Sequence, residues 1–561
     1  MGISVVGGSA GGTTNKAFKE QVFKSSGTWT YPTSSNFDGQ VEVMLVGGGG
    51  ASGGCASRFS VAGQVAYTGG GGGGQVILSK KLNVSGLGNQ TVRVGNGGGY
   101  YHNQGGGLFG GSSRFGNNVI YNYYTNPSLS LGMLNHNVYS ISTEPYPELY
   151  NNSEQSYANY SNVSTNWSAR SITSAPPIGK TFWYNNLSNG YGAYTLPFEV
   201  DPSINYTLSF YVARYGTTGT TMNIRVYWYD ETGQTVANNY YGSAWTTPTS
   251  YSWTQVSIPL TTAAPSTARY ARIIFVPSGG TGGFAMNGLC FSPTSLSVST
   301  PIDGDTPGYT WGGSPGNSPT IIDDNSGYIA QGGGGGWGVG TRWSGGSNSF
   351  AYPGWPAYTS GGMPFYGASP STGEYISSGA GGGAGGDAKP MYSLTNYNVI
   401  ANSSAYFRMN YGSAKGGPKY INVSGSPQNY TAGSYAGRSL VGGGVGGHST
   451  VMHSGEGAEY ESIFYGKAGD GIGGFGCGGI GRGKAGGGSN SQYAEDFESI
   501  RNMPYYDIQN TDSERMKRFH SVLPNTGNGA PGFLESIVSS FDSNYSGIPG
   551  STGLVIVRWY E

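Results

Sequence analysis

Carboxylate groups that could act as acid and base catalysts are few in this sequence, with 29 aspartate and glutamate residues among 561. Asp230 and Glu231 are adjacent, but Thr232-Gly233 follows them directly, and this run predicts a hairpin turn in which charge is ordinary. The acidic residues at 495–498 lie in a polar segment. A glycosidase needs two carboxylates flanking a sugar, and neither group has that setting. We therefore expect no catalytic residues and no enzymatic activity.

Ligands for a metal ion or a cofactor are not grouped either. Of the five histidines, only His448 and His453 lie close together in the sequence. No cysteine or carboxylate cluster completes a metal site with them. Residues 469–474 have the pattern Gly-x-Gly-x-x-Gly, but without the preceding strand and following helix that nucleotide binding requires. Asp303 and Asp305 could ligate calcium, and the alternative is a turn in which both bond to nearby backbone N–H groups. Apart from these two candidates we expect no metal site, and we expect no cofactor.

Aromatic side chains offer another chemistry, because their rings can stack on the C–H faces of sugars. Tryptophan and tyrosine are frequent in the glycine-poor stretch at about 119–300. Trp228 lies on an apolar alternation and is expected in a core, since sandwich cores also need aromatic side chains. Trp183, Trp245 and Trp253 are better placed for the surface, so they are the candidate glycan-binding residues.

The same stretch alternates with period two. Apolar residues line one face of 206–212, 224–228 and 256–260, and turns separate these runs. Several short strands with turns between them predict a β-sandwich or jelly roll. Helical signals are few, and the two segments that carry them are 512–523 and 532–541.

Composition excludes several classes of function. The net charge of −1 gives no basic field for nucleic acid, so we expect none to bind. No apolar run approaches the about 18–20 residues of a membrane span, so we expect no membrane insertion. Glycine is the outlier at 103 of 561 residues, while charged residues make up only 10%.

The glycines are concentrated in runs at 47–54, 69–74, 332–340, 379–386, 442–447 and 469–488. Such runs suit polyproline-II-type helices, which have three residues per turn and no internal hydrogen bonds. Without side chains, neighbouring helices can approach closely enough to bond to each other laterally. We therefore predict a sheaf of polyglycine helices, and the alternative is that these runs are exposed loops between strands.

We predict an all-β fold in which one split glycine-rich domain, made of short strands and polyglycine helices, is interrupted by an inserted β-sandwich jelly roll. Apolar strands at 41–46 and 553–560 would open and close the glycine-rich domain. The predicted parts are the first half of that domain at 1–118, the insert at 119–300, a connector at 301–327 and the second half at 328–561.

Several segments of the glycine-rich part resemble a known family. Ser26-Gly27-Thr28-Trp29-Thr30-Tyr31-Pro32, followed by 41–50, is similar to the opening of the glycine-rich domain of phage tail and fibre proteins. The segment 553–560 is similar to the closing strand of that domain. Phe115-Gly116-Asn117, resumed at 328–332, resembles the point in the domain where a strand leads into glycines, so the insert is expected to enter there.

Two further segments resemble phage-associated modules. Asn126-Pro127-Ser128 and the strand series that runs to Phe291 resemble a carbohydrate-binding-module-like jelly roll. Residues 302–311, Ile-Asp-Gly-Asp-Thr-Pro-Gly-Tyr-Thr-Trp, resemble a segment of minor tail proteins from phages that infect actinobacteria.

The resemblance implies a structural minor tail protein, a fibre or tail-tip subunit, that contributes to recognition of a host-surface glycan and to adsorption. It implies other phage tail proteins as partners, a homotrimer, and a location in the virion. Residues 1–14 lack the basic start and apolar core of an export signal, so we expect release by host lysis. Two alternatives stay open: a virion polysaccharide depolymerase, and a cellular glycine-rich protein such as an adhesin or ice-binding protein.

Overall fold

The computed structural model describes part of the chain. The described residues are 16–53, 65–67, 69–99, 107–117, 121–122, 134–140, 167–170, 182–185, 191–195, 198–215, 221–246, 252–278, 283–294, 307, 309–311, 320–322, 326–336, 340–342, 365–369, 373–377, 381, 383–384, 398–399, 421–422, 450–451, 463–464, 475–476, 478, 483–485, 524–530, 534–536 and 548–561.

The strands are, in chain order, β1 (Phe18–Phe23), β2 (Gly27–Trp29), β3 (Gln40–Val46), β4 (Val65–Tyr67), β5 (Val76–Asn83), β6 (Gln90–Arg93), β7 (Ser113–Phe115), β8 (Tyr121–Asn122), β9 (Leu134–Ser140), β10 (Trp167–Arg170), β11 (Phe182–Asn185), β12 (Tyr191–Thr195), β13 (Phe198–Glu199), β14 (Tyr206–Tyr215), β15 (Thr221–Tyr229), β16 (Thr235–Thr246), β17 (Thr254–Pro259), β18 (Tyr270–Ser278), β19 (Gly283–Pro293), β20 (Tyr309–Trp311), β21 (Thr320–Ile322), β22 (Tyr328–Ala330), β23 (Gly340–Arg342), β24 (Phe365–Ser369), β25 (Gly373–Ser377), β26 (Asn398–Val399), β27 (Ile421–Asn422), β28 (Thr450–Val451), β29 (Ile463–Phe464), β30 (Gly483–Ala485), β31 (Leu534–Ser536) and β32 (Leu554–Tyr560).

None of the described residues belongs to an α-helix, which confirms the predicted all-β fold. The helix expected at 532–541 is wrong, because Leu534–Ser536 within it is strand β31 and pairs with β4. Partner strands outweigh a weak local helix signal in this segment. The other expected helix, at 512–523, lies outside the described residues. In the described part of the chain, no helix is long and apolar enough to cross a membrane.

Two small sheets, ordered β1-β32-β3-β5 and β2-β6-β7-β22, enclose an apolar core. The last strand, β32, lies between β1 and β3 and is antiparallel to both. Trp29 is fully buried and makes edge-on ring contacts with four aromatic side chains, namely Tyr31, Phe37, Phe115 and Trp559. The predicted strand at 41–46 is part of β3, whose apolar run is buried on both faces of its sheet.

The glycine run that follows β3 is the centre of a hydrogen-bonded sheaf. Its donors repeat with period three, so every third N–H reaches the same neighbouring segment. The N–H groups of Gly47, Gly50 and Gly53 donate to the carbonyl groups of Gln75, Gly72 and Gly69, respectively. Those of Gly48 and Ala51 donate to Gly111 and Leu108, and those of Gly49 and Ser52 donate to Ser551 and Ile548. This repeat is that of a helix with three residues per turn.

The same run also accepts hydrogen bonds from further segments. The donors to its carbonyls are Gly333, Gly98, Ala530 and Gly336, which reach Gly48, Gly49, Gly50 and Ala51. Residues 47–53 are therefore surrounded by neighbours on all sides, and residues 46–53 are buried. For the described parts of the runs at 47–54, 69–74 and 332–340 the predicted sheaf is confirmed and the loop alternative is wrong. The run at 442–447 and most of the runs at 379–386 and 469–488 lie outside the described residues, and 483–485 in the last run is strand β30.

Close approach explains why the sheaf needs glycine. A Cβ built on Gly50 would lie 1.9 Å from the carbonyl oxygen of Gly334, and one on Gly49 would lie 1.9 Å from that of Asn528. Both obstacles are backbone atoms, which cannot rotate away as the end of a long side chain can. The space that a side chain would occupy is thus taken by the neighbouring helix.

The β-sandwich consists of a five-stranded sheet, β10-β11-β19-β14-β17, and a six-stranded sheet, β16-β15-β18-β12-β9 with β13 beside β18. The apolar positions predicted in β14 are in the core, since Leu208, Phe210 and Val212 are fully buried, although the intervening Thr207, Ser209 and Ala213 are buried as well. The sheets pack face to face, because Trp228 of one has its ring 6.3 Å from that of Phe291 in the other. Trp228 is fully buried, as its place in the alternation predicts.

Two chain segments connect the sandwich to the glycine sheaf, and they run side by side. Phe115 of β7 pairs with Tyr328 of β22, so the residues of the glycine-rich domain that flank the expected insertion are cross-strand partners. Further along, Tyr121 of β8 pairs with Ile321 of β21. The sandwich is thus reached through paired antiparallel strands.

Candidate functional site: the outer face of the sandwich and its junction with the glycine sheaf

The three candidate tryptophans do not belong to one strand or one sheet. Trp183 is in β11, and its cross-strand partner is Met286 of β19. Trp253 directly precedes β17, at the far edge of the same five-stranded sheet. Trp245 is in β16 of the opposing sheet, where it pairs with Met222. Asp303 and Asp305 lie outside the described residues.

Trp253 has neighbours that the sequence did not single out. Successive residues of a strand point to opposite faces, and Phe210 and Val212 point into the core. Tyr211 therefore points to the outer face of the five-stranded sheet, where it is half-buried and directly opposite Gln255. Gln255 is exposed, and Trp253 is half-buried and lies two residues before it, directly ahead of β17.

This group can bind a sugar on chemical grounds. Tyr211 and Trp253 offer partly exposed rings with a polar group at one end, and the Gln255 amide can both donate and accept hydrogen bonds. We call Tyr211, Trp253 and Gln255 the outer-face group. Sequence alternation held a signal for Tyr211, because it falls between two core positions in a strand.

A second polar group lies where the sandwich meets the glycine-rich part. Arg93 of β6 and Arg114 of β7 are cross-strand neighbours. Glu199 is the last residue of β13, and Asp201 lies two residues further along the chain. We call these four side chains the junction cluster. Arg114 binds Asp201 through two parallel hydrogen bonds of 2.8 and 2.9 Å. Arg93 contacts Asp201 as well, and its Nη2 lies 2.8 Å from Glu199 Oε1.

Glu199 is the most deeply placed member of the junction cluster, with a side chain only 3% exposed. Its Oε2 accepts hydrogen bonds from the Ser112 backbone N–H at 2.9 Å and from the Ser112 hydroxyl at 2.7 Å. Since Ser112 directly follows the sheaf segment 107–111, the carboxylate joins the sandwich to the backbone of the glycine-rich part. A buried charge requires such partners.

Two tyrosines extend the contact. The Tyr270 hydroxyl donates to the Phe109 carbonyl at 2.8 Å, and the two rings meet edge-on at 4.8 Å. Burial raises the pKa of Tyr270 far above its usual range. Burial also raises the pKa of Tyr206, although the nearby Arg114 and Arg93 oppose the shift. Tyr206 supports the cluster by accepting the Asp201 backbone N–H at 2.6 Å.

The hairpin turn at 230–233 forms as predicted. Asp230 Oδ1 accepts hydrogen bonds from the Thr232 N–H at 2.8 Å and the Thr232 hydroxyl at 2.7 Å. The carbonyl oxygen of the next residue, Glu231, would lie 1.9 Å from a Cβ built on Gly99. Asp230 therefore shapes a turn that rests on the glycine sheaf. Within the described residues, no group of three or more His, Cys, Asp or Glu side chains could hold a metal ion.

Residues 23–171, less than half of the chain, match the family model of a glycine-rich domain. Among curated proteins, none matches this chain.

Solved structures that are similar to the chain include a phage protein and carbohydrate-binding modules. The enzymatically active domain of bacteriophage CBA120 tailspike protein 4 is 16% identical over 23% of this chain and 19% of its own, with a TM-score of 0.18. The C-terminal family 22 carbohydrate-binding module of Clostridium thermocellum Xyn10B is 13% identical over 31% of this chain and 92% of its own, with a TM-score of 0.21. TmCBM61, solved with β-1,4-galactotriose, is 13% identical over 31% and 98%, with a TM-score of 0.20. Similarities of this strength assign no function.

Proposed function

We propose that this protein is a structural, non-enzymatic subunit of a bacteriophage tail, either a fibre or a tail-tip component, that contributes to adsorption on host-surface glycan. The observation that carries the proposal is the glycine sheaf between 46 and 53 and its neighbours, entered through the motif at 26–32 that resembles phage tail proteins. The glycine-rich family model begins at residue 23, close to that motif.

The physical properties of the sheaf suit an extended appendage. Its interior consists of backbone hydrogen bonds rather than side chains, so it does not need a wide apolar core. Each helix can be bonded to neighbours in several directions at once, which resists bending. A rigid support of this kind, carrying a sandwich at its side, is a suitable design for a tail component that presents a binding surface.

The glycan part of the proposal depends on the outer-face group. Tyr211 and Trp253 are half-buried, so their rings are held by neighbours while one part stays accessible. Rings in this state lose little conformational entropy when a ligand binds. Gln255, exposed beside them, would supply hydrogen bonds to sugar hydroxyl groups.

Immunolabelling of purified virions tests the structural assignment. An antibody against the purified protein is applied to negatively stained particles, and we expect label on the tail. The same antibody pre-absorbed with the protein is the control. Label that is absent from the tail would refute the assignment.

A sedimentation assay with host cell-wall polysaccharide tests the glycan part. We expect Trp253→Ala and Tyr211→Ala each to weaken the affinity measured by co-sedimentation about threefold to tenfold. This factor corresponds to the usual free energy of one aromatic contact. Val236→Ala, at an exposed position of the opposing sheet, is the control and should bind normally. Equal binding by all variants would remove the outer-face group from the proposal, and sugar release above the buffer control would indicate a depolymerase.

The quaternary part of the proposal is a homotrimer that contacts other tail proteins within the virion and is released by host lysis. Mass photometry of the purified chain tests the trimer, and a monomer at all concentrations would contradict it. Chemical cross-linking of intact virions, followed by mass spectrometry, should join this chain to other tail subunits.

A further inference from the structure

The connection between the sandwich and the glycine sheaf would not fix their orientation by itself. β7 and β22 belong to the four-stranded sheet of the glycine-rich part. Beyond them, the two connecting segments pair through only two residues each, Tyr121–Asn122 and Thr320–Ile321, beside β20 in a small sheet. Strands this short and few contribute little stability on their own. Any fixed orientation must therefore come from contacts between the two bodies.

We infer that the junction cluster locks the sandwich onto the glycine sheaf in a single orientation, so that the two open and unfold as one cooperative body. Both carboxylates come from the sandwich and both guanidinium groups come from the glycine-rich part. Every ion pair in the cluster thus crosses the boundary between them. Arg114 adds directional constraint, because its two parallel bonds to Asp201 fix the plane of the guanidinium group.

The burial of these charges turns a contact into a lock. Separating the two bodies without water reaching the cluster would leave Glu199, now 3% exposed, without its partners. An uncompensated buried charge is strongly unfavourable, whereas the intact pairs add little net stability over an apolar contact. The cluster therefore acts mainly against alternative orientations and less as a source of overall stability.

Two further contacts, outside the junction cluster, also hold the sandwich in this orientation. The Tyr270 hydroxyl reaches the Phe109 carbonyl, and the turn at Glu231 rests where Gly99 has no side chain. With the junction cluster these make three separate points of contact, and three points define the position of one rigid body on another.

Ser112 provides a natural reporter of opening. Its backbone N–H donates across the boundary to Glu199 Oε2, so it loses its acceptor when the bodies separate even if both stay folded. The N–H of Gly48, in contrast, donates to Gly111 within the sheaf. Hydrogen–deuterium exchange at these two positions therefore separates opening of the junction from unfolding of the sheaf.

The experiment compares the full-length wild type with Glu199→Gln, which keeps the shape of the side chain and removes its charge. Glu20→Gln is the matched control, since it removes a carboxylate from a partly exposed ion pair with Arg558 that lies within the glycine-rich part and outside the junction cluster. We expect Glu199→Gln to speed exchange at Ser112 at least about tenfold while leaving Gly48 unchanged, and Glu20→Gln to change neither. Wild-type calorimetry should show one transition for both bodies.

Two results would overturn the inference: separate calorimetric transitions for the sandwich and the sheaf in the wild type, or equal exchange at Ser112 in Glu199→Gln and Glu20→Gln. If Glu199→Gln does not fold, Asp201→Asn replaces it, because the Asp201 side chain is 25% exposed and its charge is less costly to remove. The wild-type calorimetry decides the question of cooperativity without any variant. None of these outcomes depends on whether the protein is part of a phage tail.

Discussion

Replacing Gly50 by alanine tests whether the polyglycine sheaf is a packed interior. The new Cβ would lie 1.9 Å from Gly334 O and 2.4 Å from Gly334 C, whereas real Cβ atoms essentially never come closer than 3.0 Å. The Gly334 backbone must therefore move by about 1 Å or more. That carbonyl accepts the Gly72 N–H at 2.7 Å, and a movement of this size stretches or breaks the bond.

The expected loss of stability follows from these contacts. Overpacking of a well-packed interior costs about 1–3 kcal/mol, and the stretched hydrogen bond adds about 1 kcal/mol. Alanine also restricts the unfolded chain, which returns about 0.4–1 kcal/mol. We expect Gly50→Ala to lower the free energy of unfolding by about 1–3.5 kcal/mol, measured by urea denaturation with tryptophan fluorescence and circular dichroism.

Two other glycines separate the crowding effect from the general effect of a methyl group. Gly27→Ala meets only Phe23 ring atoms, at 3.6 Å or more, and should change stability by less than about 0.5 kcal/mol. Gly86 has open space around it but a φ of +72°, so Gly86→Ala should cost about 1–2 kcal/mol through backbone strain alone. If Gly50→Ala is no more destabilising than Gly27→Ala, the sheaf is not a close-packed interior and the reasoning fails.

Three further predictions concern side chains. Tyr270→Phe removes the hydrogen bond to Phe109 and should lower stability by about 1–2 kcal/mol. Burial raises the folded-state pKa of Tyr270 above its unfolded value of 10.0, so the contribution of the neutral side chain to stability is present below pH 10 and is lost as pH rises. The free energy of unfolding measured from pH 8 to 11 should therefore fall more steeply in the wild type than in Tyr270→Phe. Parallel curves would contradict the assignment. Trp29→Ala should cost about 3–5 kcal/mol in a denaturant titration, since the side chain is fully buried among four aromatic rings, and a loss below about 1 kcal/mol would show that the core tolerates the cavity. Glu20→Gln should cost less than about 1 kcal/mol, and most of this cost should vanish in 1 M salt because the ion pair with Arg558 is partly exposed to solvent. A cost that survives high salt would mean that the carboxylate has another role.

Local patterns in the sequence predicted the elements better than the contacts between them. The alternation around Trp228 identified a core position, and the long runs at 47–54 and 69–74 identified sheaf helices, because both signals depend only on nearby residues. The segments at 95–99 and 548–553 are equally part of the sheaf, but asparagine, serine or proline interrupts them. Their signal is a glycine at every third position, such as Gly550 and Gly553, rather than an unbroken run.

The sites were harder to predict than the elements for the same reason. Ser112 and Glu199 are 87 residues apart in the chain, so no local spacing relates them. Arg93 could have been noticed as a charge between the buried Val92 and Val94, although the pattern does not say which carboxylate it meets. Trp253 was selected for its residue type, whereas its neighbour Tyr211 became visible only through the register of β14 and β17.

The polar character of the junction follows from the composition of the sheaf. A surface made mostly of glycine backbone presents many carbonyl and N–H groups and few apolar side chains. Apart from contacts such as that of the Phe109 ring with Tyr270, a sandwich therefore finds little apolar surface on which to dock. Docking has to use backbone acceptors, as Tyr270 does at Phe109, or the few side chains on strands that border the sheaf, as Glu199 does with Arg93 and Arg114. Ion pairs are directional where apolar contacts are not. The same absence of side chains that lets the helices pack therefore also requires that anything attached to them is held in a defined orientation.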